Sequence, residues 1–467
     1  MQTRNPYPGE EKHLLNLEED HFVDFKSAQI APSKLQEAFV SFANSDGGDL
    51  YVGIEDKRVK KDRIRGYSDP EAANDSIHTL LEETKPAVEN VESEFINYGK
   101  KGLVLHFSIP KSSKVHFTAN GDCHIRINAR KKRITGERVM ELGYAKGAFN
   151  YEKQPVRNAD LNEYVNSHYL DNYMKRVETR LAPDLFLKKQ RLISIEGKKP
   201  VPNVGCVLLF DDEPQATLDT KCAIKIYRLR TSESAYKREQ LESTPLTITG
   251  PIEEQIHRSI NSIAELLEGA SYEVSGKVMK LEYPAEAIHE ILVNAVIHRD
   301  YSLNDDVHIK IYDNRIEIVS PGKLPGYITV NNIYDERFAR NPNIVRMLHN
   351  LPDPVNHDIG EGLDTARNAM QKAGLVAPDI KELNNSVVII IKHQKLAALA
   401  DIIIDYLKSN PGQPITNKTV RELSGEDDVN KIKKAFQKLR RQEIIVPVDE
   451  NAKAFDFQYV LSKNAKV

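Results

Sequence analysis

The sequence predicts a multidomain protein of mixed α/β class, α+β in its ordering, and three observations predict it. The chain has 467 residues, more than one core holds, which suits about three or four domains. Period-two apolar runs alternate with helix-period runs as far as residue 393. From residue 394 on, short helical patterns precede two strand-like runs. The expected boundaries are 1–145, a helical connector over 146–195, a third region over 196–393 and a C-terminal one over 394–467.

Residues 19–26, Glu-Asp-His-Phe-Val-Asp-Phe-Lys, read as a strand near the start of the chain, with Phe22, Asp24 and Lys26 on one side and Val23 and Phe25 on the other. Ser33 to Asn44 carries a helical stripe of Leu35, Phe39 and Phe42 and stops at Ser45-Asp46-Gly47-Gly48. Strands follow at Asp49 to Ile54, Leu103 to Ile109 and His124 to Asn128. Residues 150–195 read as mainly helical. Gly205 to Phe210 and Ala223 to Tyr227 read as strands with Pro214 in the turn between them.

Ile252 to Leu267 and Ala285 to about His298 read as helices, Pro284 standing at the first turn of the second. Val307 to Tyr312 and Ile316 to Ser320 pair around Asp313-Asn314, and Val387 to Lys392 is the last strand of the region. Beyond it, helices are expected over Ala397 to Leu407, Thr416 to Leu423 with Thr416 or Asn417 as cap, and Val429 to Gln442. Pro411-Gly412 breaks the first two apart, and Ile444 to Val448 with Phe457 to Leu461 make a two-stranded wing.

Lys plus Arg total 65 against 68 Asp plus Glu, so nucleic acid must be met by local patches and not by bulk charge. The three cysteines, Cys123, Cys206 and Cys222, are far apart and form no CxxC, which argues against a disulfide framework or a structural zinc. No run approaches the roughly 20 apolar residues of a membrane span, and the first residues lack an apolar signal core. A cytoplasmic protein with no membrane partner is expected.

Three constellations carry chemistry. In the first, Lys431, Lys433, Lys434, Lys438, Arg440 and Arg441 decorate a helix whose inner stripe is Ile432, Ala435, Phe436 and Leu439. This suits the groove-entering helix of a winged helix-turn-helix that neutralises phosphates, and equally the solvated face of a protein-contact module.

In the second, Glu290 and Asn294 are four apart on one helix face, where a carboxylate orients water and an amide ligates Mg²⁺ on phosphates. Ser320-Pro321-Gly322 and Ile359-Gly360-Glu361-Gly362-Leu363 follow, the latter a glycine loop leading into a helix. This order, with Arg340-Asn341-Pro342, resembles the GHKL-type ATP-binding fold over about residues 195–393, in the divergent branch similar to the C-terminal part of a DNA helicase. The resemblance implies an α/β sandwich in which Asn294 holds Mg²⁺, Glu290 activates water, and Gly322, Gly360 and Gly362 shape an ATP pocket. A module kept for dimerisation or scaffolding has the same motifs.

In the third, Glu19, Asp24 and Asp56 lie near strand ends, where converging acids would hold Mg²⁺ or Mn²⁺ and Lys26 would meet a scissile phosphate. Solvated acids at strand ends have the same pattern. Glu19 to Lys26, Ala43 to Gly48, Tyr51 to Asp56 and His124 to Ile127 together resemble the Schlafen AlbA-like domain over about residues 13–145. In nuclease members three acids cut RNA, and the resemblance puts them at Glu19, Asp24 and Asp56, with Asp24 where a Glu is usual.

The domain order implies a nucleotide-responsive protein that acts on RNA or DNA, as a homo-oligomer, with anti-phage defence implied by resemblance. The alternative is a ligand-sensing transcriptional regulator without catalysis.

Overall fold

The computed structural model describes residues 1–59, 62–197, 199–233, 236–268, 271–274, 277–280, 283–355, 362–393, 399–410, 413–424, 429–449 and 457–462. Five strands build the N-terminal sheet: β1 (Gln2–Arg4), β2 (Val23–Lys26), β3 (Gly48–Val52), β4 (Glu92–Asn97) and β5 (Leu103–Ile109), in the order β1-β4-β5-β3-β2. β2 runs parallel to β3 and β1 to β4, while β5 is antiparallel to both of its neighbours. After the short α1 (Glu10–Asn16), helix α2 (Pro32–Ala43) supplies the crossover that a parallel pair requires. Its expected stripe, Leu35, Phe39 and Phe42, is buried with Leu50, Leu105 and Phe107 of the sheet, and α3 (Asn74–Leu81) adds Leu80 to that core. A separate hairpin, β6 (Cys123–Ile127) with β7 (Arg130–Ile134), turns at Asn128 and lies against α2 before α4 (Glu137–Lys146).

Lys146 ends α4 at the C-terminus of α2, where its buried Nζ donates to the Ala43 carbonyl at 3.0 Å. Burial pulls this ammonium down to about 7, from 10.5. The unfolded chain therefore holds the extra proton between those two values, so stability rises with pH across that window. Thermal midpoints of wild type and Lys146→Met across the window should show a rise that the variant lacks.

The helices α5 (Leu161–Val165), α6 (His168–Arg176) and α7 (Pro183–Lys189) make the segment helical, and the hairpin β8 (Ile193–Glu196) and β9 (Lys199–Pro202) follows. Gly205 to Phe210, expected as a strand, is instead part of helix α8 (Val204–Phe210). All seven residues of α8 are buried, so the run has no polar side to reveal its period, and Asn203 starts the helix by accepting the Cys206 N–H at 3.0 Å. Pro214, expected in a turn, opens α9 (Pro214–Leu218).

β10 (Ile224–Arg228), β11 (Leu246–Ile248) and α10 (Ile252–Glu268) begin the third region, and a small hairpin, β12 (Ser271–Val274) with β13 (Lys277–Lys280), leads to α11 (Ala285–Ile297). β14 (Val307–Ile311), β15 (Arg315–Pro321), α12 (Pro342–His349), α13 (Gly362–Lys372), β16 (Asp379–Glu382) and β17 (Ser386–Lys392) complete it. Its six strands run in the order β11-β10-β14-β15-β17-β16, with α10 on β10 and α11 on β15.

The chain divides into two compact units, residues 1–367 with 378–391, and 368–377 with 392–467. In the second, α14 (Leu399–Ser409), α15 (Asn417–Ser424), α16 (Val429–Arg441), β18 (Ile445–Pro447) and β19 (Tyr459–Leu461) share a core that includes Ile403, Leu407, Val420, Phe436 and Ile445. Thr416 caps α15 by accepting the Thr419 N–H at 3.1 Å. The expected break at Pro411-Gly412 lies outside the described residues. Among the described residues no helix is long and apolar enough to cross a membrane.

Candidate nucleotide cavity and acidic cluster

Because α11 lies on β15, its polar positions face a cavity of about 300 Å³ lined among others by Asn294, His298, Ser320, Gly322, Lys323 and Gly362. That volume is at the lower end of small-ligand sites. Glu290 and Asn294 do meet: a Cβ on Gly362 would stand 2.8 Å from both Glu290 Oε2 and Asn294 Nδ2, so the first residue of α13 must be small. Asn294 Nδ2 donates to the Glu290 carbonyl at 2.8 Å, which leaves Oδ1 as the atom that can meet a cation. Ser320 Oγ ties β15 to α11 by donating to the Ala295 carbonyl at 2.6 Å. His298, with Nδ1 buried and unpaired among the described residues, is pushed down to about 4 by burial and stays neutral. Gly360 lies outside the described residues.

The segment after Gly322 has two sides. Lys323, Leu324 and Ile328 line the cavity. Lys323 Nζ also lies 3.4 Å from Asp46 Oδ2, and Lys111 Nζ donates to the Leu324 and Ile328 carbonyls at 3.2 and 3.0 Å. The Gly326 N–H reaches the Lys146 carbonyl at 2.9 Å. Asp46 is bonded in turn by His21 Nε2 at 2.8 Å, and that bond with the two lysines holds its carboxyl well below the usual range.

In the N-terminal cluster Asp24 is only 4% exposed, although its side of β2 reads as polar. Lys26 Nζ donates to Asp24 Oδ1, and Arg126 Nη1 approaches Oδ2 at 3.1 Å. Arg126 further donates to the carbonyls of Asp20 at 2.7 Å and Val23 at 3.0 Å, and its guanidinium lies 4.3 Å from the centre of the Phe42 ring. Glu19 accepts the Phe25 N–H at 3.2 Å, with Lys26 at 3.9 Å, and its carboxyl is pushed up by burial and then by Asp24.

Asp56 stands apart from these groups: its side chain is 64% exposed and accepts the Arg58 N–H at 2.8 Å. Among the described residues no three His, Cys, Asp or Glu side chains gather where they could hold a metal ion. The expected convergence of Glu19, Asp24 and Asp56 is therefore corrected. Glu55 accepts from Ser27 Oγ at 2.7 Å, whereas Asp56 turns to the Arg58 N–H. Both Asp24 oxygens already serve cations, so these residues do not fit a metal centre and Lys26 is drawn onto a carboxylate.

Lys431, Lys433, Lys434, Lys438, Arg440 and Arg441 are all exposed on α16, over the buried stripe Ile432, Ala435, Phe436 and Leu439. Sequence reasoning missed Arg126, Lys323 and Asp46 as organising residues. A signal for Arg126 was present, since an arginine inside an apolar strand needs buried acceptors.

A family model described as "Schlafen, AlbA_2" matches residues 19–135. Another, described as "Putative ATP-dependent DNA helicase recG C-terminal", matches residues 304–391. No curated protein matches the chain. Among solved structures, the crystal structure of the DIP2311 protein from Corynebacterium diphtheriae is 15% identical over 94% of this chain and 95% of that one, with a TM-score of 0.42. The chain thus carries a Schlafen AlbA_2 domain and, C-terminal to it, a GHKL-like domain of the recG C-terminal type.

Proposed function

We propose that the protein binds nucleic acid under the control of a nucleotide held in the cavity beside α11. The observation that carries this reading is the two-sided segment at Lys323, Leu324 and Ile328, which walls the cavity and meets Asp46 and Lys111 of the Schlafen AlbA_2 domain. A guest that shifts this wall alters its contacts with the nucleic-acid domain, and nucleic acid then changes guest affinity by the same factor.

The residues fit ATP with Mg²⁺: Asn294 would hold the ion on the phosphates, the α13 N-terminus at Gly362 would face them, and Glu290 supplies the carboxylate that orients water. Bound ATP brings the negative charge and the transferable phosphoryl group. The second unit acts as a winged helix, with Lys431, Lys433, Lys434, Lys438, Arg440 and Arg441 on duplex phosphates, and the chain works as a homo-oligomer. Calorimetry with ATP and Mg²⁺ should show binding by wild type that Asn294→Ala abolishes. Equal affinity in the variant would sink the assignment.

The second reading, a nuclease with a defence role, is favoured by the grouping of Glu19, Asp24 and Lys26 within the Schlafen AlbA_2 domain. Cutting of tRNA, single strands or duplexes that is lost in Glu19→Gln would establish it. Intact substrates in every arm leave the binding reading alone.

A further inference from the structure

Phe338 lines two cavities. One is the nucleotide cavity beside α11. The other, of about 350 Å³, is walled by Ser113, Lys114, Val115 and Phe117 from the segment before β6, and by Gly147, Ala148 and Phe149 after α4. Its apolar wall is held from behind. Val115, 6% exposed, packs with Cys123 and Ile134, and Phe117 is partly buried against the same cluster. The Phe149 ring stands edge-on to Tyr144 at 6.1 Å and presses on Gly143, where a Cβ would collide with it.

Phe338 itself is clamped between Gly147 and Gly326, both of positive φ. A Cβ on Gly147 would stand 2.5 Å from its Cε1, and one on Gly326 would stand 2.6 Å from its Cδ2. Gly326 lies between Pro325 and Ile328, which line the nucleotide cavity. A wall fixed in this way is formed before a guest arrives, which saves the ordering cost of binding.

The polar side chains at the second cavity can donate. Ser113 Oγ has no hydrogen-bond partner among the described residues. Lys114 Nζ pairs with Glu89 at 2.7 Å, but the two side chains are 48% and 73% exposed, so another carboxylate can take the place of Glu89. No carboxylate lines this cavity among the described residues.

We propose that the second cavity binds a small aromatic carboxylate, separately from the nucleotide, and is coupled to the nucleotide cavity through Phe338. The rings of Phe117, Phe149 and Phe338 take a flat apolar body by edge or face contact, and Lys114 with Ser113 takes the anionic end. An aliphatic acid supplies the charge without the ring, and a neutral aromatic supplies the ring without the charge. A guest pressed against Phe338 reshapes the nucleotide cavity, so each guest changes the affinity of the other by the same factor. The coupling rests on the nucleotide reading above, and the site does not.

The test is calorimetry of the full chain with 2-naphthoate, with 2-naphthamide as its neutral counterpart and octanoate as its aliphatic one. The naphthoate should bind about fivefold more tightly than the amide, and Lys114→Gln should bring the two within about twofold. Octanoate should bind about fivefold more weakly than naphthoate, because it has no ring to set against the three phenylalanines. Ala148→Trp, at an exposed position, should abolish naphthoate binding by filling the cavity, and Phe149→Ala should weaken it about tenfold. Saturating ATP with Mg²⁺ should shift naphthoate affinity about fivefold, and naphthoate should shift ATP affinity equally.

Naphthoate affinity unchanged in both Ala148→Trp and Phe149→Ala would overturn the site, as would equal wild-type affinity for the acid and the amide or no binding of either. A dimer seen by sedimentation that Ala148→Trp dissociates would give the cavity to a second copy of the chain and overturn the site as well. Naphthoate binding that leaves ATP affinity unchanged overturns the coupling alone. A chain that binds naphthoate but no ATP overturns the nucleotide reading and the coupling with it, and the site stands.

Discussion

Replacing Arg126 by methionine lowers the free energy of unfolding by an expected 3–5 kcal/mol or about that. Methionine keeps most of the apolar stem that covers Phe42 but removes all the donors. Asp24, 4% exposed, then keeps Lys26 alone, and the carbonyls of Asp20 and Val23 lose their side-chain partner. The Val23 carbonyl still accepts the Asp20 N–H, so the stranded carboxylate costs most. Urea unfolding followed by circular dichroism measures the effect, and a loss below about 1 kcal/mol would contradict it. The double variant Arg126→Met with Asp24→Asn should recover part of the loss, because the neutral amide removes the uncompensated charge. Arg126→Lys should recover less, since one ammonium cannot span a carboxylate and two carbonyls.

Gly322→Ala should cost about 3 kcal/mol and abolish guest binding in the cavity. The residue has φ of 104°, which an L side chain rarely adopts, and its Cβ would collide with the Arg340 guanidinium and stand 2.6 Å from Asp300 Cβ. Arg340 cannot step aside: it is buried, lies 3.6 Å from Asp300, and donates to the carbonyls of Ala145 at 3.0 Å and Lys323 at 2.6 Å. Moving it therefore disturbs both a buried ion pair and the cavity wall at Lys323. Gly121→Ala is the control, because Gly121 also has positive φ, at 80°, but open space around it. Strain alone should cost that variant about 1 kcal/mol. Similar losses in the two variants would show that the contact with Arg340 does not matter.

The parts of the fold that were legible in the sequence are those whose period survives in the residues. The stripe Leu35, Phe39, Phe42 on α2 and the stripe Ile432, Ala435, Phe436, Leu439 on α16 are buried as expected, α16 because its other side is wet and α2 because Ser33, Lys34 and Glu37 mark the period in its first half. Helix α8 was misread as a strand because it has no wet side at all. The pair Glu290 and Asn294 was legible for a related reason, since four residues of α-helix fix their proximity without help from the rest of the chain.

The acidic cluster shows the opposite case. Glu19, Asp24 and Lys26 are neighbours in sequence and remain neighbours in space, but the fate of Asp24 is decided by Arg126, 102 residues away. Asp46 likewise meets Lys323 across 277 residues. By itself the sequence determined most elements apart from α8 and α9, the cationic face of α16 and the two domain types, because periodicity and short motifs are local properties. Only the tertiary structure decided that Asp24 is locked between two cations, that Asp56 turns outward, and that the cavity wall touches the Schlafen AlbA_2 domain. Those outcomes depend on which distant strands and loops pack together, and no local spacing encodes that packing.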